Sequence, residues 1–276
     1  MYIIPQIETP VSENYLVFEE NLINLLETIE KSGLNVNDKN PEKHFPDLIL
    51  EQNFGVNGLV LCSDLIKRGC GGFKTAYAFS MRDKNRISIL SDLITLKQIG
   101  IKDIIVSEGL HPSKTEFKTA KPVYDIDVLG FGLTLKSRLM SDFSDSNGNN
   151  DGDVTCNNID NIGKFDFFNF GVVSGMTSFA DVLKVKKLIK IGADRIILNL
   201  ANRTDYSAEN LEKPLMIDII NNIKSEKKEV FLYVKELSIG YSLEDFLKKV
   251  ENLNIDGVIV KIIDEKANVF IHKALK

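Results

Sequence analysis

The chain has 276 residues, 43% of them hydrophobic, and a formal net charge of -5 at pH 7. Acidic and basic residues are mixed along it with no Lys/Arg block to follow a phosphate backbone, which argues against nucleic acid as a partner. No apolar run approaches the ~20 residues that span a bilayer, and Met1-Tyr2-Ile3-Ile4-Pro5 lacks the basic and apolar regions of a signal peptide. A soluble cytoplasmic protein is therefore expected. The three cysteines, Cys62, Cys70 and Cys156, have no C-x-x-C spacing, so they predict reduced thiols rather than a disulfide framework or a zinc knuckle.

Short β-rich apolar runs alternate with longer stretches of helical period, the pattern of βαβ units around a parallel sheet. The strand candidates in chain order are 2–8, 34–38, 73–79, 103–107, 165–173, 195–200, 230–234 and 257–262. Eight such strands suit an α/β fold closed as a (β/α)8 TIM barrel, one domain over residues 1–276. Between them, Phe18, Leu22, Leu25, Leu26 and Ile29 recur at three- and four-residue steps, as do Val182, Leu183, Val185, Leu188 and Ile189. Gly33, Gly100 and Gly192 each stand where a left-handed helix cap is wanted before the next strand.

Residues 141–161 interrupt this alternation with a polar stretch that carries almost no apolar side chain and cannot join a core. Asp145, Asn147, Asn149 and Asp151 alternate as ligands of a calcium loop would. However, Asn150 stands where that loop needs Gly, and Cys156 stands where it needs Glu. A polar insertion is expected here, and no metal.

The block Ser80-Met81-Arg82-Asp83-Lys84-Asn85-Arg86, continuing to Ser91-Asp92-Leu93, resembles the R-D-R-N-R…S-D-L segment of the methylenetetrahydrofolate reductase family. Glu108-Gly109-Leu110-His111-Pro112 is similar to that family's T-G-D-H-P. Lys121-Pro122-Val123-Tyr124-Asp125-Ile126-Asp127 is similar to its K-P-V-F-D-x-D, and Gly192-Ala193-Asp194 to its G-A-D. Gln6-Ile7-Glu8-Thr9-Pro10 resembles E-I-T-P-P more loosely. The matches keep the family's order over about three-quarters of the chain.

The resemblance implies a barrel oxidoreductase of one-carbon metabolism, in which hydride passes to the methylene group of a reduced C1-pterin, of the folate or methanopterin type. It implies FAD as cofactor. It assigns Arg82, Asp83, Asn85, Arg86, Gly109, Leu110 and His111 to the cofactor, and Asp38 and Asn199 to the substrate, since an amide suits a pterin's donor and acceptor edge. Two family acids are altered. Gln6 stands where the family's general acid is expected, and an amide cannot take that role. Leu110 stands for an Asp near the flavin.

Two carboxylates close by in sequence are expected to stand in for them, Glu8 as the catalytic acid beside Gln6 and Glu108 as the catalytic carboxylate near Leu110. Glu8 is two residues beyond Gln6 on the same face of the strand, roughly 6–7 Å nearer the barrel mouth, and Glu108 precedes Leu110 by two. Each has a plainer reading: Glu8 as a rim residue, Asp83 as a helix cap, the arginines paired with neighbouring carboxylates, and His111 as a loop residue held by Pro112. The losses at Gln6 and Leu110 motivate an alternative function: a pterin-binding or methyl-transfer-associated barrel without flavin-dependent reduction. In either case a deazaflavin or nicotinamide donor, or no flavin at all, remains open. A second copy of the chain or a partner subunit is also compatible.

Overall fold

Seven of the eight expected strands form in the computed structural model of the chain. It describes residues 2–8, 18, 20–24, 26–27, 45–52, 56–68, 73–109, 118–123, 125–136, 168–174, 179–199, 214–234, 248 and 250–262. The strands are β1 (Tyr2–Glu8), β2 (Leu48–Glu51), β3 (Thr75–Ser80), β4 (Asp103–Ser107), β5 (Asn169–Ser174), β6 (Arg195–Asn199), β7 (Glu229–Val234) and β8 (Gly257–Ile262). All eight pair in parallel and in sequence order, and β8 returns to β1 to close the barrel.

The second strand corrects the sequence expectation. Residues 34–38 lie outside the described residues, and the segment that pairs with both β1 and β3 is Leu48–Glu51. It is only four residues long and lies just after Phe45-Pro46, which hides it from a search for longer β-rich runs. The insertion at 141–161 also lies outside the described residues.

Strand alternation sorts the side chains into two apolar bodies. Tyr77, Phe79, Val106 and Val172 point outward and pack against helices such as Gly58–Lys67 and Arg86–Gln98. Ile4, Ile49, Ala76, Ala78, Ile105, Ile197, Phe231 and Ile259 fill the lumen together with Phe45, whose ring stands edge-on to Phe231 at 5.2 Å. The barrel interior is thus a packed core, and chemistry is confined to its ends. On the outer side, helix Val128–Lys136 comes close to the sheet at Gly132. A Cβ there would lie 2.5 Å from Ile191 and 2.9 Å from Phe170.

The lower end of the lumen is closed by charge. Asp103, Asn169, Arg195 and Glu229 are the first residues of β4, β5, β6 and β7. Arg195 bonds to both Asp103 and Glu229, and Asn169 donates to Asp103 at 3.2 Å. Outside this ring, three aspartates that immediately precede strands tie them to a neighbour. Asp47 accepts from the Lys74 N–H, Asp194 from that of Phe170 and Asp256 from that of Val230, at 2.8, 3.0 and 2.8 Å. The expected caps form at Gly100 and Gly192, with φ of 83° and 88°, a region that glycine occupies without strain. Among the described residues, no helix is long and apolar enough to cross a membrane.

Candidate active site

The upper end of the lumen is polar where the core is apolar. One layer above Ile4 and Ile49, β1 contributes Gln6 and then Glu8, and β2 contributes Glu51. Lys261 comes from β8, and Tyr233 and Asn199 come from β7 and β6. Strand register brings these together: Glu8 lies beside Glu51, Gln6 beside Lys261, and Asn199 beside Tyr233. The side chains then make direct contacts. Gln6 Nε2 donates to Glu51 Oε2 at 2.7 Å and lies 3.4 Å from the Tyr233 hydroxyl. Lys261 Nζ bonds to Glu8 and stands 3.9 Å from Glu51.

Two carboxylates therefore share one ammonium, and they are not equivalent. Burial raises the Glu51 carboxyl above the ordinary carboxylate range, and the Glu8 charge adds to this. Lys261 and the Gln6 amide pull the other way without cancelling it. Glu8 has Lys261 as a close partner and is a little more exposed, at 36% against 30% for Glu51. The carboxyl whose proton affinity its surroundings raise is Glu51, which sequence reasoning did not single out. Lys261 and Tyr233 were missed as well. The signal for all three was the last inward position of a strand, legible for β7 and β8 and obscured for β2 by its misplacement.

The other expected site residues are placed as follows. Gln6 is buried, at 7% exposure, and belongs to the cluster. Glu8 belongs to it as the partner of Lys261. Asn199 ends β6 in register with Tyr233. Glu108 is drawn elsewhere: it forms an ion pair with Lys184 of the helix Phe179–Lys190, with its side chain 60% exposed. Asp38, Leu110 and His111 lie outside the described residues.

On the rim after β3, Asn85 rather than Asp83 caps the following helix, its Oδ1 accepting from the Ser88 N–H at 2.8 Å. The backbone of Asp83 lies in the short 3-10 turn Met81–Asp83. Arg86 is exposed and paired with Asp125, which also accepts from the Arg86 N–H at 2.8 Å. The Arg82 carbonyl accepts from the Val123 N–H at 2.8 Å. Lys84 bonds to Asp92 and sits 5.5 Å from the Phe79 ring. Gly109 has a φ of 80°, and a Cβ there would come within 1.9 Å of the Ser80 hydroxyl oxygen.

These placements bear on the fit of a flavin diphosphate to the described part of the segment assigned to it. The Asn85 oxygen is used as a cap and Arg86 is held by Asp125, so as folded the two do not form a phosphate cradle. The Ser80 Oγ is buried without a hydrogen-bond partner, but a lone hydroxyl beneath Gly109 does not supply one either. The Cys62 thiol is buried on the outer side of the sheet, and that burial pushes it up to about 12, which disfavours the nucleophilic thiolate. Among the described residues, no group of three or more His, Cys, Asp or Glu is placed to hold a metal ion.

A closed eight-stranded parallel sheet with its polar cluster at the carboxyl ends of the strands defines a (β/α)8 barrel. Comparison with solved structures agrees. The chain is similar to a mutant tryptophan synthase alpha subunit from Pyrococcus furiosus, with a TM-score of 0.56 at 12% identity over 99% of this chain and 96% of that one. It is similar also to a chain of the tryptophan synthase complex from the same organism, with a TM-score of 0.55 at 11% identity over 99% and 95%. At such identity the likeness extends to the fold and no further. No family model matches the chain, and a search of curated proteins gives no match.

Proposed function

We propose that this barrel is an enzyme acting on a reduced C1-pterin, related to methylenetetrahydrofolate reductases, with Glu51 as the acid that protonates the nitrogen released when the methylene bridge becomes a methyl group. The observation that carries the reading is a half-buried carboxylic acid of raised proton affinity at the barrel mouth. It is bonded to Gln6, the residue that stands where the resembled family has its acid. A general acid works best when its proton affinity lies near the working pH, and burial shifts Glu51 in that direction. Asn199, Tyr233 and Gln6 add the amide and hydroxyl groups that a pterin's hydrogen-bonding edge requires. The ordered sequence blocks from β1 to β6 support the substrate class. Glu8, neutralised by Lys261, sets the charge around the acid.

A second reading rests on the rim. Because Asn85 and Arg86 are engaged within the protein, a barrel that binds a reduced pterin and serves methyl transfer without its own flavin is the alternative. One set of measurements separates the two. Purified protein is given 5,10-methylenetetrahydrofolate, and separately its methanopterin counterpart, with NADH, reduced FAD or a reduced deazaflavin, and methyl-pterin is quantified by chromatography. Formation with any donor is the expected result. Absence of product with every donor, alongside pterin binding by calorimetry, overturns the reductase in favour of the second reading. Absence of both overturns the pterin assignment itself.

A further inference from the structure

Gln6 is more than nine-tenths buried, and its bonds are asymmetric. Nε2 carries both contacts, to Glu51 and Tyr233, while among the described residues Oε1 receives none. Ser80 Oγ is the one fully enclosed side-chain oxygen or nitrogen without a partner among those residues, so Gln6 Oε1 is not fully enclosed.

The two partners of Nε2 share a property: each can exchange accepting for donating. A carboxylate only accepts, but a carboxylic acid also donates, and a phenol does either by rotating its hydroxyl. An amide turned by half a revolution places its oxygen where its nitrogen was, with almost no change of shape. Glu51 with its proton could then donate to Oε1, and Tyr233 could donate to the same oxygen.

We propose that the Gln6 amide inverts with the proton on Glu51, so that the edge left free for a ligand is an acceptor when Glu51 is ionised and a donor when Glu51 is protonated. The inference rests on the reading of the mouth as a ligand site and names Gln6 as a positioning residue there. Among the described residues, the charged and titratable groups that face Glu51 come from three strands. β1 supplies Glu8, β8 supplies Lys261 and β7 supplies Tyr233, while the neighbour of Glu51 on β3 is Ala78. Tyr77 and Cys62 belong to the opposite, outward side of the sheet. Lys261 is bonded to Glu8 and lies farther from Glu51, so the proton on Glu51 is what changes the demand on the amide. In a reaction that takes the proton from Glu51, the amide would turn from donor to acceptor as the product forms, giving substrate and product different partners at one position.

The chain contains three glutamines, Gln6, Gln52 and Gln98, so side-chain nitrogen-15 labelling of glutamine gives three amide pairs. Gln6→Met assigns one by its loss. On titration from about pH 5 to about pH 9, the Gln6 pair should shift with a midpoint above the ordinary carboxylate value. The transition should vanish in Glu51→Gln and persist in Glu8→Gln. A flat Gln6 signal, or an unchanged transition in Glu51→Gln, overturns the proposal. Should Glu51→Gln not fold, the protonated-carboxyl infrared band of the unaltered protein must titrate with the same midpoint as the Gln6 pair, and a mismatch overturns it equally. Calorimetry with tetrahydrofolate on either side of the midpoint tests the site separately. No binding, with the Gln6 transition intact, counts against the pterin reading and leaves the inversion standing.

Discussion

Exchanging Glu8 and Glu51 separately for glutamine distinguishes the two carboxylates around Lys261. At the 3.9 Å between Lys261 Nζ and Glu51, Coulomb's law with an effective dielectric constant of about 20 gives roughly 4 kcal/mol. Glu51 keeps nearly a third of its side-chain surface in solvent, and screening reduces that figure to on the order of 1 kcal/mol, under one pH unit. In Glu8→Gln the repulsion from Glu8 disappears and Lys261 is no longer shared, so the proton affinity of Glu51 falls by about that amount. Turnover at neutral pH should then fall by no more than about tenfold, with the high-pH limb of the profile moved to lower pH. In Glu51→Gln the acid itself is gone, and a loss of about 10²- to 10⁴-fold is expected, with that limb abolished. Initial rates of methyl-pterin formation across pH read both effects. If Glu8→Gln cost as much as Glu51→Gln, or if Glu51→Gln kept a tenth of the activity, the acid would be Glu8 and the assignment to Glu51 would be wrong.

Because the folded Glu51 carboxyl is raised above its unfolded value, its contribution to stability is fully present below the ordinary value of 4.5 and is lost as pH rises through the higher folded value. Glu229, raised mainly by burial despite Arg195, acts in the same direction. Urea melts at several pH values should therefore show Glu51→Gln gaining stability relative to the unaltered protein as pH rises; a constant difference would refute this. Asp103→Asn removes one carboxylate from buried Arg195 and should cost about 3–5 kcal/mol by chemical denaturation, while Asp103→Leu with Arg195→Met should recover part of it. Gly109→Ala combines a φ of 80° with a Cβ placed 1.9 Å from Ser80 Oγ. A cost of about 1–3 kcal/mol is expected, and a melting temperature unchanged from that of the unaltered protein would show that the loop relaxes freely. Asn85→Ala should cost about 1 kcal/mol through loss of the helix cap, with no change in pterin affinity.

Strand number, parallel order and closure were legible because each long strand announces itself by a β-rich apolar run and each helix by its period. The second strand was not. Leu48–Glu51 is too short for periodicity to register, and its identity comes from pairing with β1 and β3, which is a tertiary property. A local signal did exist. Asp47-Leu48-Ile49-Leu50, Asp103-Ile104-Ile105-Val106 and Asp194-Arg195-Ile196-Ile197 each place an aspartate at the foot of a β-rich run, and Asp256-Gly257-Val258-Ile259 does the same. These feet belong to β2, β4, β6 and β8. Three of the four aspartates bond the backbone of the adjacent odd strand, and Asp103 instead joins the charged floor. Read as a repeat, the Asp47 foot would have placed β2 and brought Glu51 to the mouth.

The same placements change what the family-like blocks mean. Residues 82–86 and 121–127 are distant in sequence but dock on one another, through Arg86 with Asp125 and through the Arg82 carbonyl with the Val123 amide. Asn85 caps one helix, and Asp127 accepts from the Gly130 N–H at 2.6 Å at the start of another. These two blocks therefore also build the upper rim beside the β3 and β4 ends. The proposed chemistry rests instead on the inward residues at the strand ends, where four separate strands must converge to surround one carboxylic acid with an amide, an ammonium and a phenol. Such a cluster has no sequence spacing of its own. Its members are 45, 227 and 253 residues apart in pairs, and only closure of the barrel brings Lys261 at one end of the chain against Glu8 at the other.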